Sequence, residues 1–370
     1  MSPTLVILLV GSAVAASCAL IGTFLVLRKM ALLGDAISHA VLPGIAVAFL
    51  ITGDRSALPM VIGAAALGVV TVFLVEIGTR SGRLKEDASI GVVFPALFSI
   101  GVILISRYAG QVDIDLDCVL YGEIAYTPWD VFFLGDQSIG PRALWINGVI
   151  LALVVAFVVA FYKELKLSTF DASLAAALGF SPVVMHYLLM SMLSVTIVGA
   201  FESVGAILVV AMLVVPPASA YLLTERLSRM LALSVIFGVA SAVLGYYVAR
   251  WLDASIAGAM ASVAGGLFAL VFLLSPSHGL LAKVLRHRAL SEGMSEQLLM
   301  LHVGQTSARS LELVRRRFSW REAKLQRIVA RLRDRGWLDV DAGGGLRLTA
   351  DGSAALERSG QAPLRHLVGE

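Results

Sequence analysis

Charge is scarce in this sequence. Only 15% of its 370 residues are Asp, Glu, Lys or Arg, where soluble domains average about 25%. Six lysines occur in all and none follows a glycine. That excludes the G-x-x-x-x-G-K-[ST] phosphate loop, and with it an ATPase of that type. Two cysteines, Cys18 and Cys118, are too few for a disulfide framework or a Cys-rich zinc site. No H-E-x-x-H and no nucleophile elbow occur, so a zincin-type membrane protease and a serine hydrolase lack support.

What is abundant is apolar. Such residues make up 58% of the chain and its mean hydropathy is +0.86, against roughly 45–50% apolar in a soluble domain. One soluble core cannot hide that surface, and disorder needs the opposite composition. The class is a polytopic membrane protein. The Ser17-Cys18 pair follows small residues, as in a lipoprotein cleavage box. However, no Lys or Arg precedes Arg28 and the apolar run is long, so a retained membrane helix is expected there.

Nine stretches reach the length of a membrane span, about 20 apolar residues: 4–27, 31–52, 57–79, 88–106, 143–162, 182–200, 204–223, 230–250 and 255–275. Placing Arg28 and Lys29 in the cytoplasm and alternating from there puts twelve Lys and Arg of the short segments inside and four outside. The positive-inside rule then sets the N-terminus outside and the tail in the cytoplasm.

The external segment 107–142 carries Asp113, Asp115 and Asp117, an ordinary acidic loop or a cation collector. The internal segment 163–181 offers Ser168 and Asp171 as helix caps and a short Ala-rich helix ended by Gly179. It is a connector or a docking element. Ala254, Gly258, Ser262 and Gly266 recur every four residues in the last span, a spacing that lets helices approach closely within the chain or across a subunit interface.

Residues 291–370 differ in kind. They hold 13 basic and 10 acidic residues, against 16 and 16 before them, so the whole formal excess of +3 lies in the tail. Ser319-Trp320-Arg321-Glu322 has the form of a capping box. Leu325, Ile328, Val329 and Leu332 make a helical face, and Gly336 a terminator. Trp337–Val340, a Gly343–Gly345 turn and Leu346–Thr349 read as a hairpin. Helices followed by a two-stranded wing resemble a small winged-helix domain. Arg321, Lys324, Arg327 and Arg331 on its basic helix suit DNA contact or regulatory docking on an ATPase or on the chain itself.

Ionisable residues inside a span are functional candidates by default. In MALLGDAISHAVLPG, Asp35 and His39 are four apart, hence on one helical face and about 6 Å apart along the axis. A carboxylate with an imidazole suits Mn, Fe or Zn, and Pro43-Gly44 can kink or open the helix beside them. The competing reading is a buried Asp–His hydrogen bond between helices. Glu202, in FESVG, is a solvated turn residue or lines an outer mouth, where it is a third candidate metal contact. Glu76 can snorkel, and His186 reads as interfacial.

Several segments, RKMALLGDAISHAVLPGIA, EDASIGVVFPALFSIGVILIS, DLDCVLYGEIAY, ELKLSTFDASLAAALGFSP and AFESVGAILVVAMLVVPPASAYLL, resemble the permease subunits of manganese/zinc/iron ABC transporters over about residues 4–285. The resemblance implies an all-α polytopic membrane protein of about nine transmembrane helices, a permease domain over 1–285, and a departure in the winged-helix-like cytoplasmic domain over 286–370. It also implies a second permease subunit, identical or related, two cytoplasmic ATPase subunits that hydrolyse ATP in its place, and an extracytoplasmic metal-binding protein. Asp35 and His39 carry over as contacts of the travelling ion. The internal loop, with Lys166, Ser168, Asp171 and Gly179, carries over as the ATPase contact. The DLDCVLYGE form is closer to the manganese members. No permanently bound cofactor is expected, and the cell location implied is the bacterial plasma membrane. Two other classes stay open: an ion-coupled secondary transporter, which needs no ATPase, and a membrane-tethered transcription regulator that uses the tail.

Overall fold

The structure is a computed structural model. It describes residues 2–52, 57–80, 82, 84–108, 124–134, 137–275, 279, 293–304, 311–318, 320–341 and 345–360. The chain forms two compact units, Met1–Gly279 and Leu280–Glu370.

The first unit is helical apart from one hairpin. Its helices are α1 (Pro3–Leu27), α2 (Ala31–Thr52), α3 (Ala57–Arg80), α4 (Glu86–Tyr108), α5 (Arg142–Ala160), α6 (Tyr162–Phe170), α7 (Ala172–Ala177), α8 (Pro182–Val204), α9 (Ala206–Tyr221), α10 (Leu227–Leu252) and α11 (Ile256–Leu274). Eight of the described helices are long and apolar enough to cross a bilayer: α1–α5, α8, α10 and α11. The expected span at 204–223 is the shorter apolar helix α9, of 16 residues. Its turn from α8 is made by Gly205 at φ 77°, with Glu202 still inside the last turn of α8. The strands β1 (Val131–Leu134) and β2 (Gln137–Pro141) pair antiparallel just before α5. The sequence has no clean alternation there, and the hairpin was not expected.

Helix α1 is the most enclosed element, packed by α5, α9 and α10, with Val10, Cys18, Ile21, Phe24 and Leu25 fully buried. Small residues set the closest approaches, as helix association in lipid requires. A Cβ on Gly22 of α1 would sit 1.8 Å from the Leu213 carbonyl oxygen of α9, and one on Gly44 of α2 would sit 2.5 Å from that of Gly63 on α3. Helix α2 runs unbroken through the Pro43-Gly44 pair, which lines a cavity shared with α3 and α4 and admits the α3 backbone closely. The stripe of Ala254, Gly258, Ser262 and Gly266 is exposed in the single chain, while α11 packs through Ala259, Met260 and Ala264.

The second unit contains α12 (293–304), α13 (Leu311–Phe318), α14 (Glu322–Asp334), the antiparallel pair β3 (Leu338–Val340) and β4 (Leu346–Leu348), and α15 (Ala350–Gly360). Leu299 and Val303 of α12, Val314 of α13, Leu325, Ile328 and Leu332 of α14, Leu338 and Leu346 form its core. Helix α14 starts at an Arg321 N-cap that has no side-chain capping bond; the expected capping box rests on Ser319. Ser319, Gly343 and Gly344 lie outside the described residues.

Candidate functional site

The second and third turns of α2 carry Asp35 and His39. The helix has alternate obligations there: Leu33, Ala36, Ile37 and Ala40 are buried in this chain, and the other face holds the two polar side chains. His39 Nε2 lies 3.6 Å from Asp35 Oδ1. The imidazole packs against Phe94 of α4, ring centroids 5.7 Å apart, which limits its rotation. His39 is 37% and Asp35 48% exposed in the single chain. A buried interhelical Asp–His bond therefore does not describe them: the pair belongs to one helix and to a face this chain leaves uncovered. Among the described residues no group of three or more His, Cys, Asp or Glu converges. Two donors from one helix leave the remaining coordination positions of a transition metal, four or more in total, to water or to another chain.

Glu202 is exposed in the last turn of α8. Its Oε1 lies 3.5 Å from Nη2 of Arg142, the first residue of α5. One residue on, Ser203 accepts a 2.8 Å hydrogen bond from Asn147 Nδ2, so the end of α8 is pinned to α5. The acidic residues Asp113, Asp115 and Asp117 and most of the DLDCVLYGEIAY segment lie outside the described residues. Glu76 is partnered across helices: the Tyr187 hydroxyl of α8 donates to its carboxylate.

The segment 162–181 is two short helices in series. Asp171 closes α6 and caps α7, accepting from Leu174 N–H at 2.9 Å and from the Ser173 hydroxyl at 2.6 Å. Those bonds, that from Ser173 first, hold its carboxyl below the usual aspartate range. Gly179, at φ 85°, ends α7. Lys166 points to solvent on α6. Ser168 is not a cap. It lies inside α6 and accepts a 2.9 Å hydrogen bond from Nη2 of Arg28, whose Nε donates to Thr169 Oγ1 at 3.1 Å. One guanidinium thus ties the end of α1 to the internal segment. In the sequence, Arg28 reads only as a topology charge. Nothing local signals a partner 140 residues away.

In the tail, the four basic candidates separate. Arg321 is exposed at the start of α14, and Arg327 is exposed with its Nε bonded to the Ala323 carbonyl. Lys324 Nζ lies 5.4 Å over the Trp320 ring. Arg331 is turned to Glu296 of α12, at 3.7 Å, and Arg335 joins the same carboxylate at 2.9 Å. Glu296 is buried. The basic helix therefore spends two of its charges inside its own unit.

A family model described as the ABC 3 transport family matches residues 3–275. The chain belongs to the ABC 3 transport family. It is 51% identical to the manganese transport system membrane protein MntD of Bacillus subtilis over 280 residues, 76% of this chain and 95% of that protein. It is 42% identical to the zinc transport system membrane protein TroD of Treponema pallidum over 356 residues, 94% and 96% of the two. That match is longer than the whole membrane unit, so the tail is shared with a transport protein. Among solved structures, PsaBC from Streptococcus pneumoniae, in complex with Fab, superimposes with a TM-score of 0.63 at 31% identity, covering 75% of this chain and 94% of that one. The family member described here is a multi-pass membrane permease subunit, and ATP hydrolysis belongs to a separate chain.

Proposed function

We infer that this chain is the permease subunit of an ATP-driven importer of a divalent transition metal, manganese before zinc or iron. The observation that carries the reading is the Asp35–His39 pair on the uncovered face of α2 in an ABC 3 family member. The greater identity to MntD than to TroD supports manganese first. A doubly charged ion cannot cross hydrocarbon, so the protein must replace part of its hydration shell. Two donors suit a transient contact, because an ion held by a full cage would not leave. The second permease subunit covers the exposed face of α2 and brings the remaining ligands. An extracytoplasmic binding protein delivers the ion.

Arg28, Arg80, Arg226 and Arg229 lie on the cytoplasmic side in this reading. The 16-residue α9 is the ninth crossing. At 1.5 Å per residue it spans about 24 Å, short of a hydrocarbon core of about 30 Å, and its flanking turns complete the passage. Without it, Arg226 and Arg229 would be outside, against the positive-inside bias.

The ATPase pushes on α6 and α7, and the Arg28 tether passes that motion to α1, the most enclosed helix of the unit. Lys166, Asp171 and Gly179 shape the contact surface, while Ser168 is the inner anchor. The tail, winged-helix-like in its order of helices and hairpin, is a cytoplasmic docking domain. DNA contact is left to Arg321, Lys324 and Arg327, a small electrostatic footprint. The test is manganese uptake into right-side-out vesicles that hold the whole complex and are loaded with ATP inside. Uptake that requires ATP and the ATPase subunit supports the reading. Uptake driven by an ion gradient without ATP overturns it.

A further inference from the structure

A second set of donors lies on the other side of α2. The start of α2, the last turns of α3 and the first turns of α8 enclose a cleft of about 190 Å³. Leu33, Val72 and Val75 are among its walls, and Met30, Glu76, Thr79 and His186 line it as well, residues whose side chains end in a thioether, a carboxylate, a hydroxyl and an imidazole. Leu33 faces the cleft, and Asp35, two residues on, lies about 200° round the helix. The cleft is therefore separate from the Asp35–His39 face.

Two features make it more than a meeting of polar residues. Glu76 and Thr79 are three apart and share one face of α3. Thr79 Oγ1 donates to the Glu76 carbonyl at 2.9 Å, which leaves its lone pairs as acceptors. Tyr187 then organises both stronger donors. Its hydroxyl donates to the Glu76 carboxylate, and its ring meets that of His186 edge-on, centroids 5.6 Å apart. An outer hydrogen bond such as that from Tyr187 to Glu76 commonly orients a metal-ligating carboxylate.

We propose that Glu76 and His186, completed by Thr79 and Met30, form a second binding site for a divalent transition metal, between α3 and α8 on the side of α2 away from Asp35 and His39. Nitrogen, oxygen and a soft thioether favour such ions over magnesium or calcium. That the ion is the transported one rests on the reading under Proposed function. The competing role is purely structural, with Tyr187 and Glu76 clamping α3 to α8.

Metal binding separates the two. The intact complex in lipid nanodiscs, stripped of metal, is titrated with Mn²⁺ or Zn²⁺ alone by equilibrium dialysis. A protein carrying Asp35→Ala and His39→Ala is expected to keep one site. Adding Glu76→Gln or His186→Gln to it is expected to weaken that site at least tenfold. Glu76→Gln retains an oxygen acceptor for Tyr187, so it decides the matter if the His186 variant misfolds. No residual site in the Asp35/His39 double variant, or a residual site unmoved by Glu76→Gln in a folded protein, overturns the proposal. Should the cleft variants remove all binding while the Asp35/His39 variants remove none, the cleft stands and the pathway reading falls.

Discussion

Arg28 Nη2 donates to Ser168 Oγ at 2.9 Å, joining the end of the first membrane helix to the segment between α5 and α8. Hydrogen bonds from a charged donor contribute about 1.5–3 kcal/mol each, which adds to the buried Leu165 and Ala175 in holding the two short helices in place. Arg28→Ala is expected to leave the complex assembled and its ATPase active, while metal moved per ATP falls several-fold. Arg28→Lys, with one point charge in place of a fork, falls between. Paired ATPase and uptake assays read this directly; an unchanged ratio in Arg28→Ala removes the tether from the coupling path.

Glu202 is expected to matter little to the ion. Its pairing with Arg142 is half-exposed, and pairs of that kind contribute about 0–1 kcal/mol. Glu202→Gln is predicted to keep uptake within about twofold of the parent. A loss comparable to that of Asp35→Ala in a metal uptake assay restores Glu202 as a ligand.

Asp171 gives a pH prediction. Its folded carboxyl titrates below the unfolded value, about 3.9 for aspartate, so its capping contribution is complete above that value and is lost as pH falls through the folded one. At neutral pH the cap is fully in place. Amide exchange at Leu174 is expected to accelerate only in acid for the parent, and at every pH in Asp171→Ala.

Glu296 holds the tail together through Arg331 and Arg335. Glu296→Gln leaves two guanidiniums facing a neutral amide and is expected to lower the tail's stability by about 1–3 kcal/mol. It also frees positive charge. If the tail is a docking domain, the full-length protein in nanodiscs stays inert toward duplex DNA at physiological salt, with or without this substitution; tight, salt-dependent DNA binding by the parent would make the tail a DNA reader.

The strongly periodic and strongly apolar parts of the chain were legible. The spans announce themselves by composition, Asp35 and His39 by the cost of ionisable groups in lipid, and the tail's core face by Leu325, Ile328 and Leu332. What escaped depends on pairing at a distance. Arg28 with Ser168, Arg142 with Glu202 and Glu296 with Arg335 are each joined by folding, and no local spacing encodes them. Pro43-Gly44 has a second use that local sequence does not encode: the α3 backbone lies against Gly44.

The central claim is that the α2 pair touches the travelling ion. Its direct test is cellular uptake of radioactive manganese by Asp35→Ala and His39→Ala, each with the complex shown to assemble and hydrolyse ATP. Both variants are predicted to lose uptake to background. Uptake at the parent rate in both would contradict the account.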